Sequence, residues 1–100
     1  MNKQTQTAPV QDEYRTRLTI HNGDVHVSFH LNRNGSGEGM MVLISLGKPL
    51  DVRKYAMTDR QQSYYANEIN YRLFAEEGDI EASFDGIAAW LDAQHTIERL

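Results

Sequence analysis

Hydrophobic residues fall at every second position through the first half of the chain. In Tyr14–His21 they are Tyr14, Thr16, Leu18 and Ile20, against Arg15, Arg17, Thr19 and His21. In Val25–Leu31 they are Val25, Val27, Phe29 and Leu31, against His26, Ser28 and His30. A period of two is the signature of a strand buried on one face. Asn22-Gly23 separates the two runs, and Asn-Gly is the strongest short signal for a β-hairpin because the tight turn needs positive φ. A two-residue loop there predicts that His21 faces Asp24, Ile20 faces Val25, Leu18 faces Val27 and Thr16 faces Phe29. All the apolar side chains then share one face, and His21, His26, His30, Arg15 and Arg17 share the other.

The next run, Met40–Leu46 (MMVLISL), is apolar on both sides. Such a strand belongs in the middle of a sheet or under a cover on its second face. A short fourth strand over Leu50–Tyr55 would protect it from becoming an exposed apolar edge. The period then changes. Thr58 or Asp59 can cap a helix reaching about Glu77, with Gly78 as its stop. Its stripe is Tyr65, Ala66, Ile69 and Leu73, while Tyr64 and Tyr71, with Phe74 nearby, lie on the opposite side. Ser83 can cap a second helix running to about Glu98, with Phe84, Ile87, Trp90 and Leu91 buried and Asp85 and Asp92 on the far side with Ala88 and Ala89. The expected fold is α+β: an antiparallel three- to four-stranded meander with two helices packed on one face. Residues 1–11 are expected to form a disordered polar tail, and residues 12–100 a single domain.

Charge refines this picture. The formal net charge is −4, but it is segregated. Up to Arg72, Lys and Arg slightly outnumber Asp and Glu. Beyond it come Glu76, Glu77, Asp79, Glu81, Asp85, Asp92 and Glu98, with Arg99 as the single basic residue. An acidic end disfavours nucleic acid and favours a basic protein partner. The chain has no cysteine, which removes disulfides and thiolate metal sites and fits a reducing, cytoplasmic setting. No apolar run approaches the ~20 residues that cross a bilayer.

Three chemical readings of the hairpin compete. His21, Asp24 and His26 flank its tip and could hold a divalent ion, although a hairpin tip holds ligands loosely. Arg15, Arg17, His26, His30 and Arg33 form a cationic set suited to phosphate or RNA, but sheet readers of RNA display aromatics on that face, and here Tyr14 and Phe29 are expected to point inward. The third reading, which alternation alone explains, is a solvated polar face. It leaves no metal and no cofactor. The glycine-rich stretch Gly35–Gly39 (GSGEG) lies between two strands and lacks the Lys-Ser/Thr pair of a phosphate loop, so it reads as a flexible hairpin loop. No serine sits in a Gly-x-Ser-x-Gly elbow; Glu76 and Glu77 follow each other directly and so diverge on a helix, and Asp85 and Asp92 lie two turns apart, about 10 Å along the axis. No catalytic constellation emerges.

The segment WLDAQHTIERL, Trp90–Leu100, resembles the acidic C-terminal helix of small phage-encoded anti-CRISPR proteins, where Trp-Leu-Asp is followed by Ile-Glu-Arg-Leu. The resemblance implies a stoichiometric inhibitor without catalytic residues, whose acidic helix occupies a Lys/Arg surface meant for nucleic acid, as in a nucleic-acid-binding effector complex. Asp85 and Asp92 are the matching positions; Glu76, Glu77, Asp79 and Glu81 join them by charge alone. Tyr64 and Tyr71 would supply apolar contact. The expected function is thus a non-enzymatic, protein-binding inhibitor. The alternatives are a small nucleic-acid-binding regulator using the Arg/His face, or an antitoxin or immunity protein. The two-faced third strand and the two-sided first helix leave a homodimer open.

Overall fold

The computed structural model describes residues 13–47, 49–74, 81 and 83–100, with the side chain of Phe74 outside that set. These form β1 (Tyr14–Asn22), β2 (Val25–Asn32), β3 (Gly39–Ser45), β4 (Asp51–Ala56), α1 (Asp59–Phe74), α2 (Phe84–Asp92) and β5 (Glu98–Arg99). The strands make one antiparallel sheet in the order β1-β2-β3-β4-β5. Both helices cover one face, and among the described residues no further element covers the other. The α+β meander expected from the pattern is present, and the fourth strand exists, but the sheet has five strands rather than three or four.

The core lies between sheet and helices. Val27, Phe29, Met41, Leu43, Tyr55 and Met57 meet Tyr65, Ile69 and Leu73 of α1 and Phe84, Ile87 and Leu91 of α2. The predicted α1 stripe is buried in full. Fully burying one Ile, Leu or Phe contributes about 1.5–3 kcal/mol, which is why the apolar stripe sets the rotation of each helix. On α2, Ala88 is buried and Trp90 only partly so, reversing their expected places.

The hairpin register differs from the expected one. The turn is Gly23-Asp24, with Gly23 at φ 59°. Asn22 faces Val25, His21 faces His26, Ile20 faces Val27 and Leu18 faces Phe29. A slip of two residues leaves every side chain on its original face, so alternation cannot detect it. A bulge then follows: pairing jumps between Thr16 and Leu18, leaving Arg17 as the extra residue. The insertion reverses the faces toward the start of β1. Thr16 faces His30 and Tyr14 faces Asn32 on the open side, while Arg15 faces Leu31 on the helix side. Tyr14 and Thr16 therefore do not share the buried face, and Arg15 and Arg17 do not share the open one.

Both helix starts are built locally. Thr58 and Gln61 form a reciprocal capping box: the Gln61 amide donates to Thr58 Oγ1 at 3.2 Å, and the Thr58 amide donates to Gln61 Oε1 at 2.9 Å. Ser83 Oγ accepts from the Gly86 amide at 3.1 Å, as expected of its cap position. The predicted end of α1 near Glu77 lies outside the described residues. The second helix stops at Asp92 and does not reach Glu98. Thr96 and Ile97 are β-branched and favour extended backbone, and the exposed edge of β4 takes up the chain: Tyr55 faces Arg99 and Ala56 faces Glu98. Thr96 is held to α1 by Gln61 Nε2, which donates to its carbonyl at 2.7 Å, and by a 3.0 Å contact between Tyr65 Oη and its hydroxyl.

The glycine-rich loop is tied down rather than loose. The Asn34 amide donates to Asn32 Oδ1, the Ser36 amide to Asn34 Oδ1 and the Glu38 amide to Ser36 Oγ, at 2.9, 2.9 and 3.2 Å. These side-chain turns bring the Gly37 carbonyl to the Asp59 amide at 2.7 Å, so the loop supports the start of α1.

Candidate protein-binding surface

The outer face of α1 follows from the rotation that buries Tyr65 and Ile69. Positions 60, 64, 67 and 71 recur at intervals of three and four and therefore line one side of the helix. Arg60, Tyr64, Asn67 and Tyr71 occupy them, and all four are exposed. Tyr64 is 58% and Tyr71 57% exposed, two turns apart, or about 10 Å along the axis. The Tyr64 ring stands edge-on to buried Tyr65, with centroids 5.0 Å apart. Tyr65 in turn meets Trp90 edge-on at 5.7 Å. The exposed aromatic is thus braced on a core aromatic, which lowers the entropy it would lose on binding. Beside it lies a cleft of about 500 Å³ between α1 and the chain leading to β5, lined by Arg60, Gln61, Tyr64, Tyr65 and Gln94.

The acidic residues divide. Glu76, Glu77 and Asp79 lie outside the described residues. Glu81 and Asp85 are exposed, and Asp85 sits in the first turn of α2, where a carboxylate is favoured by the helix dipole. Asp92 has a structural role that its sequence neighbours do not reveal. It lies at the C-terminal end of α2, the end that repels an anion. Tyr55 Oη donates to its Oδ1 at 2.9 Å, and the Arg53 and Arg99 guanidiniums approach Oδ2 at 3.6 Å each. The carboxylate fastens α2 to β4 and β5, and its charge is already compensated. Burial first, then the hydrogen bond to Asp92, pushes the Tyr55 hydroxyl up to about 12. Arg53 also lies over the Phe84 ring, 5.0 Å from its centroid.

The basic set of the hairpin is dispersed. Arg17 turns to the helix side and pairs with Asp59, with a longer contact to Gln62 Oε1 at 3.3 Å. Arg15 and Arg33 line a separate pocket with Leu31, Asn32 and Gly35. His26 and His30 remain on the open face. The His30 ring nitrogen Nδ1 is 3.0 Å from Thr16 Oγ1, and burial, then the nearby Lys54 charge, holds the His30 pKa below its usual value. His21 and His26 face each other directly, edge to face, with ring centroids 4.0 Å apart. Among the described residues no group of three or more His, Asp or Glu is placed to hold a metal ion. No helix among them is long and apolar enough to cross a membrane.

The residue that sequence reasoning missed is Gln62. It is polar yet 2% exposed. Its Nε2 donates to the His30 carbonyl at 2.7 Å and the Met57 carbonyl at 3.1 Å. One amide joins β2, the β4–α1 connection and, through Oε1, Arg17 of β1. Gly39 leaves the room for it: a Cβ there would overlap both Gln62 Nε2 and the His30 carbonyl oxygen. A polar residue within a buried stripe, at position 62 beside Tyr65, Ala66 and Ile69, was the available signal.

No protein-family model, curated protein or solved structure matches this chain.

Proposed function

We propose that this chain is a non-enzymatic protein-binding domain of the blocking type, which occupies a partner's surface through the outer face of α1. The observation that carries the reading is the exposed Tyr64/Tyr71 pair, aligned on one helix face, with Tyr64 braced on buried Tyr65. Tyrosine, arginine and asparagine are the residues from which recognition surfaces are built, because they offer large contact area with a polar end. Glu81 and Asp85 add negative charge, which speeds encounter with a basic partner more than it tightens the complex. Asp92 is not part of this surface, since Tyr55, Arg53 and Arg99 hold it. A partner whose basic surface serves nucleic acid, as in the anti-CRISPR resemblance, would be inhibited by simple occupation. The Arg/His sheet face is the weaker basis for binding nucleic acid, because Arg17 is paired to α1 and Arg15 lies on the opposite side from His26 and His30.

Affinity capture from the native host tests this reading. A protein retained by the native chain should be lost with Tyr64→Ala/Tyr71→Ala. With Glu81→Lys/Asp85→Lys it should be retained but associate more slowly and with weaker salt dependence. Equal retention by the tyrosine variant, or no retained protein at all, overturns the proposal.

A further inference from the structure

The observed hairpin register creates a pairing that alternation does not announce. With Asn22 opposite Val25, the next pair in is His21 of β1 opposite His26 of β2, on the face away from the helices. The shift of two residues turns a diagonal relation between these histidines into a direct one. Their ring centroids are 4.0 Å apart and their planes stand at 75°. Among the described residues neither ring hydrogen-bonds to another group, whereas His30 Nδ1 lies 3.0 Å from Thr16 Oγ1. The backbone that carries the pair is anchored. Ile20, Val25 and Val27 alternate with the two histidines and are buried in the core. The pair thus belongs to the strand ladder and not to the loose tip of the hairpin.

We infer that His21 and His26 form a two-imidazole site for a divalent transition ion of the zinc or nickel type. Directly opposed residues on antiparallel strands have Cβ atoms about 4.5–5.5 Å apart. Two nitrogens bound to one ion at about 2.0–2.1 Å lie about 2.9–3.4 Å from each other, between right-angled and tetrahedral geometry. Imidazoles rooted at that Cβ separation reach such a point by turning about their own side-chain bonds, with the strands in place. Imidazole suits zinc, nickel and copper, while magnesium and calcium take oxygen ligands. The neighbouring groups add no third ligand. His30 is four residues along β2, about 13 Å away. The Asp24 carboxylate leans on Gly47, where Oδ2 lies 3.4 Å from the position of an added Cβ. Across β2 from the pair stands Ile44, and Thr19 and Ser28 form the next pair along the ladder. The chain therefore supplies two ligands and leaves the other positions to water or an incoming donor, which makes this an open site and not a closed structural one. It is independent of the Tyr64/Tyr71 surface on α1.

Zinc and nickel chlorides titrated into the untagged chain at neutral pH test the inference, by calorimetry and, for Zn²⁺, by proton NMR of the histidine rings. One ion should bind at the pair with a dissociation constant below about 0.1 mM. The His21 and His26 ring signals should shift with Zn²⁺, while those of His30 and His95 stay in place. Mg²⁺ at the same concentration should move none of them. His21→Ala and His26→Ala should each weaken binding by at least about tenfold, because each removes one of two linked ligands. His30→Ala should leave it unchanged, and circular dichroism should show all three variants folded. Unmoved His21 and His26 signals at millimolar Zn²⁺ overturn the inference. So does binding that both His21→Ala and His26→Ala retain in full, which would assign the ion to carboxylates.

Discussion

Gln62 is the most informative position to perturb. Gln62→Met keeps the length and nearly the volume of the side chain while removing its amide. The His30 and Met57 carbonyls then lose donors at 2.7 and 3.1 Å. The site is almost fully buried, so water cannot replace them without opening the β2–α1 contact. A hydrogen bond contributes about 1 kcal/mol net, and stranding a buried partner costs about 1–3 kcal/mol. The longer, partly exposed contact to Arg17 adds little. Methionine returns some stability by burying more apolar surface, so the net loss should be about 2–3 kcal/mol. For a domain of this size each kcal/mol shifts Tm by about 4–8 °C, which predicts a fall of about 10–20 °C. Thermal and urea denaturation followed by circular dichroism would measure it. Asn70→Met, exposed on the same helix, should change Tm by no more than about 2 °C and controls for helix propensity. A Gln62→Met chain that melts within about 3 °C of the native one would refute the claim that this amide joins β2 to α1.

Two further outcomes follow from the same geometry. Gly39→Ala should destabilise the fold by about 2 kcal/mol or more in urea denaturation, because the new methyl group would overlap a backbone carbonyl as well as Gln62. A loss under about 0.5 kcal/mol would show that the β2–β3 contact yields easily. Tyr55 is neutral in the folded state up to about 12, against 10.0 for an ordinary tyrosine. Its raised value adds stability that is complete below pH 10 and is lost as pH rises toward 12. One of the five tyrosines should therefore ionise last in an ultraviolet titration. Tyr55→Phe should remove that late step, and its persistence would refute the assignment.

Sequence periodicity alone determined a great deal. It set the order of β1 to β4, α1 and α2, the buried stripe of α1, the Thr58 and Ser83 caps and the outward placement of Tyr64 and Tyr71. Each depends on contacts within a few residues or on one face being apolar, and both are local properties of the chain. The features that only the tertiary structure decided depend on distant partners. The hairpin register slipped by two because alternation is blind to even shifts. The bulge at Arg17 reversed the start of β1, and Arg17 found Asp59 and Gln62 on α1, which no pattern within β1 encodes. The segment after Asp92 became strand β5 instead of more helix, because the open edge of β4 supplied hydrogen bonds and Gln61 and Tyr65 held Thr96. Asp92 became the clasp between α2 and the sheet because Arg53, Tyr55 and Arg99, remote from it or on another element, converge on one carboxylate. Short-range patterning fixes which faces are apolar; the meeting of those faces decides which polar groups are consumed by the fold and which, like the α1 tyrosines, are left exposed.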